Sequence, residues 1–394
     1  MRRTVRTTGG SGAAVMSAHD LRSSAWSVKT LRYDDALRDL GEEWEDLYRR
    51  SSRATPFQTH AWLSSWWDNY GRSGALRVSL VRKDGQLVAA TALVRTRRLG
   101  FPVLVAVGHA TSDLMDVLVA DECAGEATSR LARELRAVVG RGVLDLPDVA
   151  ANSALVRLVG SWRGPHWSLP GTMCLEVPAL TADELVTTLP AARAKQVRKK
   201  SRKIESTGVE VRSVDSADAA RAMHDLLALH REQWRGRSMT AEHTRARFAR
   251  HLGRVASAMV RRGQAAIIAY HLGGRVMAVE LFVVGHAMVG GYLYGISPEL
   301  RALVDVEQLR LAPSLALARR LGRPTLSFLR GDEPHKRVWE PTERRSQRLI
   351  LADRPTPGVR VYAAAVYGRF RLVRLMRERV PGLHRALRRL ARLR

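Results

Sequence analysis

The chain has 394 residues, of which 45% are hydrophobic, and its formal net charge is +27 at pH 7. That apolar fraction is enough for packed cores and excludes general disorder, whereas no apolar run reaches the roughly 18 residues that span a bilayer. A positive field of this size attracts phosphates, nucleic acids and anionic lipid heads alike, and it does not choose among them.

The start of the chain and its cysteines favour a cytoplasmic protein. Residues 1–25 are typical of a flexible leader, and Arg2-Arg3 is not followed by the apolar segment of an export signal. Cys123 and Cys174 lack metal-ligand spacing, which fits a reducing compartment, and we expect no metal.

The first half of the chain predicts helices followed by strands. Apolar residues at helical spacing indicate the helices, and Asp84-Gly85 between two apolar runs predicts a hairpin. In chain order the predicted elements are helices Asp34–Arg50 and His60–Tyr70, strands Leu76–Arg82, Leu87–Val94 and Val103–Val107, helix Gly125–Val139 and strand Val143–Leu146.

The second half repeats this order. Its predicted elements are a basic helix at about 190–205, helix Ala217–Trp234, strands Ala265–His271, Arg275–Val284 and Met288–Tyr294, a helix at about 301–321 and a strand at 324–329. Gly273-Gly274 is the hairpin turn of this half, as Asp84-Gly85 is of the first. The hairpin turns lie about 189 residues apart and the last strands about 182 apart, which suggests duplication of a unit near 180 residues. Such orders also arise independently, so duplication is a hypothesis at this point.

Helices on both sides of a mixed sheet indicate an α/β fold. We expect one domain over 26–175 and another over 176–352, with the seam near Pro170–Pro178. The tail, 353–394, predicts two basic amphipathic helices, Val359–Arg379 and Leu383–Leu393. Such helices bind anionic membrane surfaces, which would hold the protein peripherally on the inner face of the membrane; docking on the protein's own surface is the alternative.

The most informative stretch is 325–339. A short apolar strand ends there in Arg330-Gly331-Asp332-Glu333, and polar loops at strand ends are where α/β folds usually place their sites. Gly331 permits a backbone turn that other residues disfavour, and the ring of Pro334 fixes the backbone φ angle at that position. Arg330 and Lys336 could bind phosphate or carboxylate groups, or they could pair with the acids of the same loop.

Several segments, in order, resemble one family. They are P-F-Q-T-H-A-W-L-S-S-W-W at 56–67, S-D-L-M-D-V-L-V at 112–119, R-K-K-S-R-K at 198–203, L-H-R-E-Q-W at 229–234, Y-L-Y-G-I-S-P-E at 292–299 and F-L-R-G-D-E-P-H-K at 328–336. With this layout the chain resembles the GNAT superfamily over about residues 28–352. More closely it resembles the tandem BioF2-like or CelD-type acetyltransferases of cellulose and exopolysaccharide production, which are relatives of the FemAB peptidyltransferases.

The resemblance implies tandem GNAT-like domains, each with a mixed, mostly antiparallel sheet flanked by helices. It also implies transfer of an acyl group from acetyl-CoA or another acyl-CoA to an amine or hydroxyl of a glycan or lipid-linked acceptor. That chemistry needs an oriented donor, a deprotonated nucleophile and stabilisation of an oxyanion. In GNAT folds, backbone N–H groups at a splayed strand often stabilise the oxyanion.

Candidate catalytic residues are Glu280, Asp332 and Tyr294. Glu280 lies inside an apolar strand, where a raised pKa would suit a base; a solvent-facing residue is the alternative. Asp332 or Glu333 could instead serve as base or bind substrate. GNAT enzymes often use a tyrosine to protonate the departing thiolate, and Tyr294 could do so or simply pack.

Candidate binding residues come from several segments. His335 could exchange protons near neutral pH, or its side chain could simply be exposed to solvent. His230 could bind substrate, or it could be a histidine of the hydrophobic core. Asp113 faces the cleft between domains or caps the next segment, and Trp62 is helix core or a platform for sugar. Arg198, Lys199 and Arg202 belong to a basic helix that binds CoA phosphates or a phosphorylated substrate, binds RNA, or is a solvated face.

Two departures from the family bear on the donor. His335 stands where the family usually has tyrosine, and the segment 303–308 lacks the usual glycine turn before the helix. That turn lets helix N–H groups approach the pyrophosphate of coenzyme A, whereas Asp305 and Glu307 would repel it. The sequence is therefore compatible with three functions. They are an acyl-CoA-dependent transferase, a FemAB-like transferase that uses aminoacyl-tRNA, and a degenerate GNAT module that binds a glycolipid or a partner.

Overall fold

The computed structural model describes residues 25–98, 100–235 and 240–379 of the chain. The predicted leader, apart from Ala25, and the predicted helix Leu383–Leu393 lie outside these residues. Within the described residues, no helix is long and apolar enough to cross a bilayer.

One mixed sheet of 13 strands runs through both halves of the chain, with helices packed against it. The strands are β1 Trp26–Leu31, β2 Leu76–Lys83, β3 Gln86–Arg98, β4 Phe101–Ala106, β5 Leu118–Val119, β6 Val143–Ala150, β7 His166–Pro178, β8 Glu210–Ser213, β9 Ala265–Leu272, β10 Arg275–Val284, β11 Met288–Ile296, β12 Thr325–Arg330 and β13 Thr342–Leu351. The helices are α1 Ala36–Asp39, α2 Gly41–Arg49, α3 His60–Tyr70, α4 Ala124–Val139, α5 Ala154–Gly160, α6 Ala182–Thr187, α7 Ala191–Glu205, α8 Ala219–Gln233, α9 Ala246–Arg261, α10 Pro298–Leu303, α11 Val306–Arg320 and α12 Pro357–Arg379.

The strand order shows two like halves that exchange a strand. The order is β1-β2-β3-β4-β6-β13-β7-β12-β11-β10-β9-β8, and β5 pairs with β3 off this path. Strand β13 follows the second half in the chain but pairs with β6 of the first, while β7 pairs with β12 of the second. The two central strands also pair with each other. The predicted boundary between residues 175 and 176 therefore falls inside a strand, and the halves share one sheet.

Both predicted hairpins are confirmed. Asp84 and Gly85 have φ of 50° and 83°, and Gly273 and Gly274 have φ of 57° and 76°. Positive φ at both turn positions gives the turn whose twist matches that of paired strands. The pattern Asp-Gly or Gly-Gly between apolar runs was therefore sufficient to place β2–β3 and β9–β10.

The helix predicted at about 301–321 is two helices. Val304 is extended, with φ −132° and ψ 157°, and it ends α10. Asp305 then begins α11, because its side chain accepts a hydrogen bond from the Gln308 N–H at 3.1 Å. A carboxylate at this position satisfies donors that the first helical turn leaves unpaired, so the chain restarts a helix here.

A gap opens where β11 and β12 separate. These parallel strands pair only between Met288–Gly290 and Thr325–Ser327. Beyond that point β11 continues to Ile296, while Arg330 pairs with Cys174 of β7 after a bulge. The equivalent gap beyond Val103–Leu104 in the first half is filled, because the Met115 N–H donates to the carbonyl of Asp148 at 3.0 Å. Met115 also forms an isolated parallel bridge with Val149 of β6.

Candidate active site

The gap between β11 and β12 leads into a cleft made of two adjoining cavities. The inner cavity, about 140 Å³, lies between the separated strands, and the outer one, about 600 Å³, lies between α7 and the start of α11. Four side chains line both cavities: Trp234, Tyr294, Glu307 and His335. A ligand in one cavity would therefore meet a ligand in the other beside these residues.

Arg330 joins the two halves at the floor of the inner cavity. Its guanidinium lies 2.8 Å from a carboxylate oxygen of Asp113 and 3.2 Å from one of Asp148. The backbone N–H of Arg330 also donates a hydrogen bond to the Asp113 carboxylate at 3.4 Å. Burial raises the pKa of Asp113, which Arg330 opposes; burial alone would lower the pKa of Arg330, but the two carboxylates raise it. Arg330 therefore pairs with acids of the first half and not with Asp332 or Glu333, the pairing that the sequence left open as the alternative to an anionic ligand.

Backbone strain is concentrated around this ion pair. Leu329 is buried and has φ of 51°, and Asp148 has φ of 56°. The left-handed region costs a non-glycine residue roughly 1 kcal/mol or more, and such residues are frequent at functional sites. Gly331 has φ of 120°, as its predicted role in the turn requires.

A second buried charge cluster forms the opposite wall. Arg310 donates to both carboxylate oxygens of Glu280, with Nε 3.0 Å from Oε2, and contacts Glu307 at 3.2 Å. Burial raises the pKa of Glu280, while Arg310 opposes the rise. Glu280 is therefore a buried partner of Arg310, with 2% of its side chain exposed, whereas the Glu307 side chain is 20% exposed and also lines the outer cavity.

Tyr294 lies against this cluster at the junction of the cavities. The Arg310 guanidinium lies over the tyrosine ring, 3.8 Å from its centroid, and the hydroxyl donates to Glu307 at 3.4 Å. Burial raises the pKa of Tyr294, so the hydroxyl keeps its proton at neutral pH. A protonated tyrosine can donate its proton to a departing group, and a neighbouring carboxyl group that has gained a proton can then return one to the tyrosine.

Two histidines support the wall, His230 on α8 and His243 in the short turn of helix at Ala241–Thr244. His230 Nδ1 lies 2.8 Å from the carbonyl of Tyr294, and His243 Nδ1 lies 3.3 Å from His230 Nε2. The close approach of α8 requires Gly295, because a Cβ there would lie 2.3 Å from the Leu226 carbonyl oxygen. Burial lowers the pKa of both imidazoles, that of His243 to about 4, so both are neutral at pH 7.

The N-terminus of α11 already holds a negative group. Asp305 caps it and also forms an ion pair with Lys200 of α7 at 2.7 Å. Burial would raise the pKa of Asp305, but the hydrogen bond from Lys200 and those from helix N–H groups hold it below its usual value. A phosphate placed at this helix end would meet an ionised carboxylate, as the missing glycine turn predicts.

The cleft brings together most of the predicted site residues. Glu280, Tyr294, Arg330, His335, Lys336, Asp113 and His230 all line it. The Lys336 ammonium group donates to the carbonyls of Phe328 and Arg330 at 3.2 and 3.1 Å, and it forms an ion pair with Glu333 at 2.9 Å. Its charge is therefore neutralised within its own loop.

Other predicted residues lie elsewhere. Asp332 and Glu333 are exposed and do not line the cleft. Trp62 is buried in the core, where its Nε1 donates to Ser112 at 2.9 Å and its ring packs edge-on against Tyr292. Arg198, Lys199 and Arg202 are exposed, and α7 instead presents Arg193 and Lys200 to the outer cavity.

Sequence reasoning assigned no site role to Arg310, Trp234 or Lys200, and it took Glu307 only as a charge that would repel the pyrophosphate of the donor. Glu307 and Arg310 stand three apart in a helix whose other charged residues, Arg319 and Arg320, lie at its far end, and this spacing is a signal for a charge pair on one helix face. Nothing in the sequence shows that Asp148 would meet Arg330. Among the described residues, no cluster of His, Cys, Asp and Glu could hold a metal ion.

Comparison with known proteins agrees with this fold. The Acetyltransferase (GNAT) domain family matches residues 18–141 and 191–337, more than half of the chain. The crystal structure of FemX superposes with a TM-score of 0.57 at 13% identity, covering 78% of this chain and 95% of that one. L-PGS from Bacillus licheniformis superposes with a TM-score of 0.53 at 10% identity, covering 78% and 90%. None of the curated proteins matches the sequence.

The chain therefore belongs to the GNAT acetyltransferase family and is an acyltransferase of the GNAT fold. The two matched segments correspond to the two halves of the sheet, which agrees with the tandem architecture that the repeated order predicted.

Replacement of Arg330 by methionine should destabilise the fold in a pH-dependent way. The variant leaves Asp113 and Asp148 buried without their cation, so the free energy of unfolding should fall by about 3–5 kcal/mol at pH 8. The loss should be smaller at pH 5, because burial raises the pKa of Asp113, which takes up a proton more readily as the pH falls once Arg330 is gone. Denaturant titrations at both pH values measure this.

The matched control is Arg344→Met, which removes an exposed arginine 3.3 Å from Glu176. An exposed pair contributes about 1 kcal/mol or less, so this variant should change little at either pH. Equal small losses in the two variants would refute the structural role of Arg330.

His243 should make stability fall as the pH falls. Because its pKa is about 4 in the folded state and about 6.5 in the unfolded chain, only the unfolded chain gains a proton between pH 7 and pH 5. This lowers the free energy of unfolding by about 2 kcal/mol across that range. His243→Gln should remove that part of the pH dependence, whereas His224→Gln, at an exposed site, should not. Identical pH slopes for the two variants would contradict a buried, neutral His243.

Proposed function

We propose that this chain transfers an acyl group, held in the gap between β11 and β12, to an amine or hydroxyl of a sugar or lipid-linked precursor of the cell envelope or an exopolysaccharide. The observation that carries the proposal is the position of Tyr294 and Glu307, which line both cavities and contact each other at 3.4 Å. A donor and an acceptor placed in the two cavities would meet there.

The proton balance follows from these two residues. The acceptor's nitrogen or oxygen attacks the donor's carbonyl carbon, and the bond from that carbon to the carrier breaks. Glu307 takes the proton that the acceptor loses, and Tyr294 gives its proton to the departing carrier and regains one through their contact. Glu280 then acts indirectly, because it holds Arg310 against the tyrosine ring.

Acyl-CoA is the first candidate donor. GNAT domains use acyl-CoA, and the outer cavity presents Arg193, Lys200 and Arg301 to a phosphate-bearing carrier. A phosphate held by these side chains would lie to one side of the α11 N-terminus, since Asp305 occupies that end.

Aminoacyl-tRNA is the second candidate donor, and the Asp305–Lys200 pair favours it. A carrier that does not place a pyrophosphate on the helix end avoids the Asp305 carboxylate. The exposed cations of α7 give such a carrier a polyanion-binding face, among them Arg198, Lys199 and Arg202.

Placement in the BioF2-like or CelD-type branch is part of the proposal. It is supported by the segment 328–336, whose Arg330 and Lys336 organise the floor of the cleft. A degenerate module that binds a glycolipid without catalysis is the outcome to expect if neither donor binds.

Calorimetric titration should separate the two donors. If acetyl-CoA binds with its pyrophosphate near α11, Asp305→Asn should raise its affinity about fivefold, because one repelling charge near 4 Å contributes about 1 kcal/mol in water. If the donor is aminoacyl-tRNA, charged tRNA should bind in a salt-dependent way, and Arg198→Gln with Arg202→Gln should weaken it. Absence of binding by both donors would contradict the proposed transferase.

Tyr294→Phe should lower kcat about 10²–10³-fold with little change in KM, because the ring still packs under Arg310 but no proton reaches the departing carrier. Initial rates with the donor found by calorimetry measure the change. Tyr33→Phe, at an exposed site whose hydroxyl contacts Asp39, is the matched control and should leave kcat unchanged. Undiminished kcat in Tyr294→Phe would rule out its role as acid.

A further inference from the structure

Helix α12 is anchored to the sheet along one face. Val359 and Tyr362 are buried, and Phe370 packs against the same core. The Tyr362 hydroxyl donates to Asp145 at 2.6 Å, and its ring stacks on Phe101 with centroids 5.8 Å apart. The helix therefore has a fixed orientation, and its opposite face points away from the protein.

That opposite face is apolar. Val361, Leu372 and Leu375 are 68%, 59% and 43% exposed, far more than the large hydrophobic residues of the core. With Ala365 and Gly368 they recur at intervals of three and four, which places them on one side of the helix over about 20 Å. We name these five residues the outer stripe.

Cations flank the outer stripe. Helical geometry puts Arg360 and Arg371 on one side of it and Arg369 on the other. All three are exposed and form no ion pair with a described residue. Between Asp353 and Glu378 the sequence contains several arginines and no acidic residue. An apolar stripe bordered by arginines is complementary to a surface that is apolar inside and negative at its rim.

We propose that α12 binds the surface of an anionic lipid bilayer, with the outer stripe in the acyl–headgroup boundary and the flanking arginines on the phosphates. A second copy of this chain is a poor occupant, because two such stripes in contact would bring their arginines together in a protein already carrying +27. The proposal does not rest on the transferase activity.

Vesicle sedimentation with the full chain tests this. Vesicles of phosphatidylcholine with about one third phosphatidylglycerol should bind the protein at about 0.15 M salt, and phosphatidylcholine alone should bind it at least tenfold more weakly. The triple variant Val361→Ser, Leu372→Ser, Leu375→Ser should lose about tenfold or more in affinity for the anionic vesicles. Arg360→Gln and Arg371→Gln should each cost about fivefold.

The controls separate this site from general attraction by the positive chain. Val28→Ser with Val211→Ser removes exposed apolar side chains from the two edge strands and should leave binding unchanged. The triple variant should keep the wild-type unfolding midpoint, because the outer stripe contributes nothing to the core. Unchanged vesicle binding by the triple variant, or equal binding to neutral vesicles, would overturn the proposal. So would a concentration-dependent dimer that the triple variant abolishes.

Discussion

The ion pairs of Arg330 with Asp113 and Asp148 are the interaction on which the cleft depends. Arg330 ends β12 in the second half, and both carboxylates come from the first half. One cation between two buried carboxylates is stable only while all three keep their positions, because any unpaired member would be a charge in a low-dielectric site. The strained backbone at Leu329 and Asp148 is held in place by the same contacts.

The exchanged strands explain how the floor of this cleft is built. Because β13 and β7 cross between halves, neither half completes its sheet alone, and the bulge that redirects β12 toward β7 is built into that shared sheet. The redirection opens the gap beside β11. In the first half, Met115 pairs with Val149 at the corresponding position, whereas the described cleft lies beside β11 and β12 of the second half.

Local signals in the sequence predicted much of the fold and part of the site. Asp84-Gly85 and Gly273-Gly274 specify their turns by backbone preference alone, and the strand before Arg330 is a plain apolar run. The exchange of β7 and β13 could not be predicted from the sequence, since pairing between strands far apart in the chain leaves no local pattern. For the same reason Arg330 could be named but its partners could not. Helical spacing favoured the core for Trp62, which is where it lies, with a sugar platform as the alternative.

A double-mutant cycle between Arg330 and Asp113 tests the central claim most directly. Unfolding free energies of Arg330→Met, Asp113→Asn and the double variant give the coupling between the two side chains. A coupling of about 2 kcal/mol or more is expected for a buried, hydrogen-bonded charge pair. Additive effects, within about 0.5 kcal/mol, would show that the two halves are not joined through this contact.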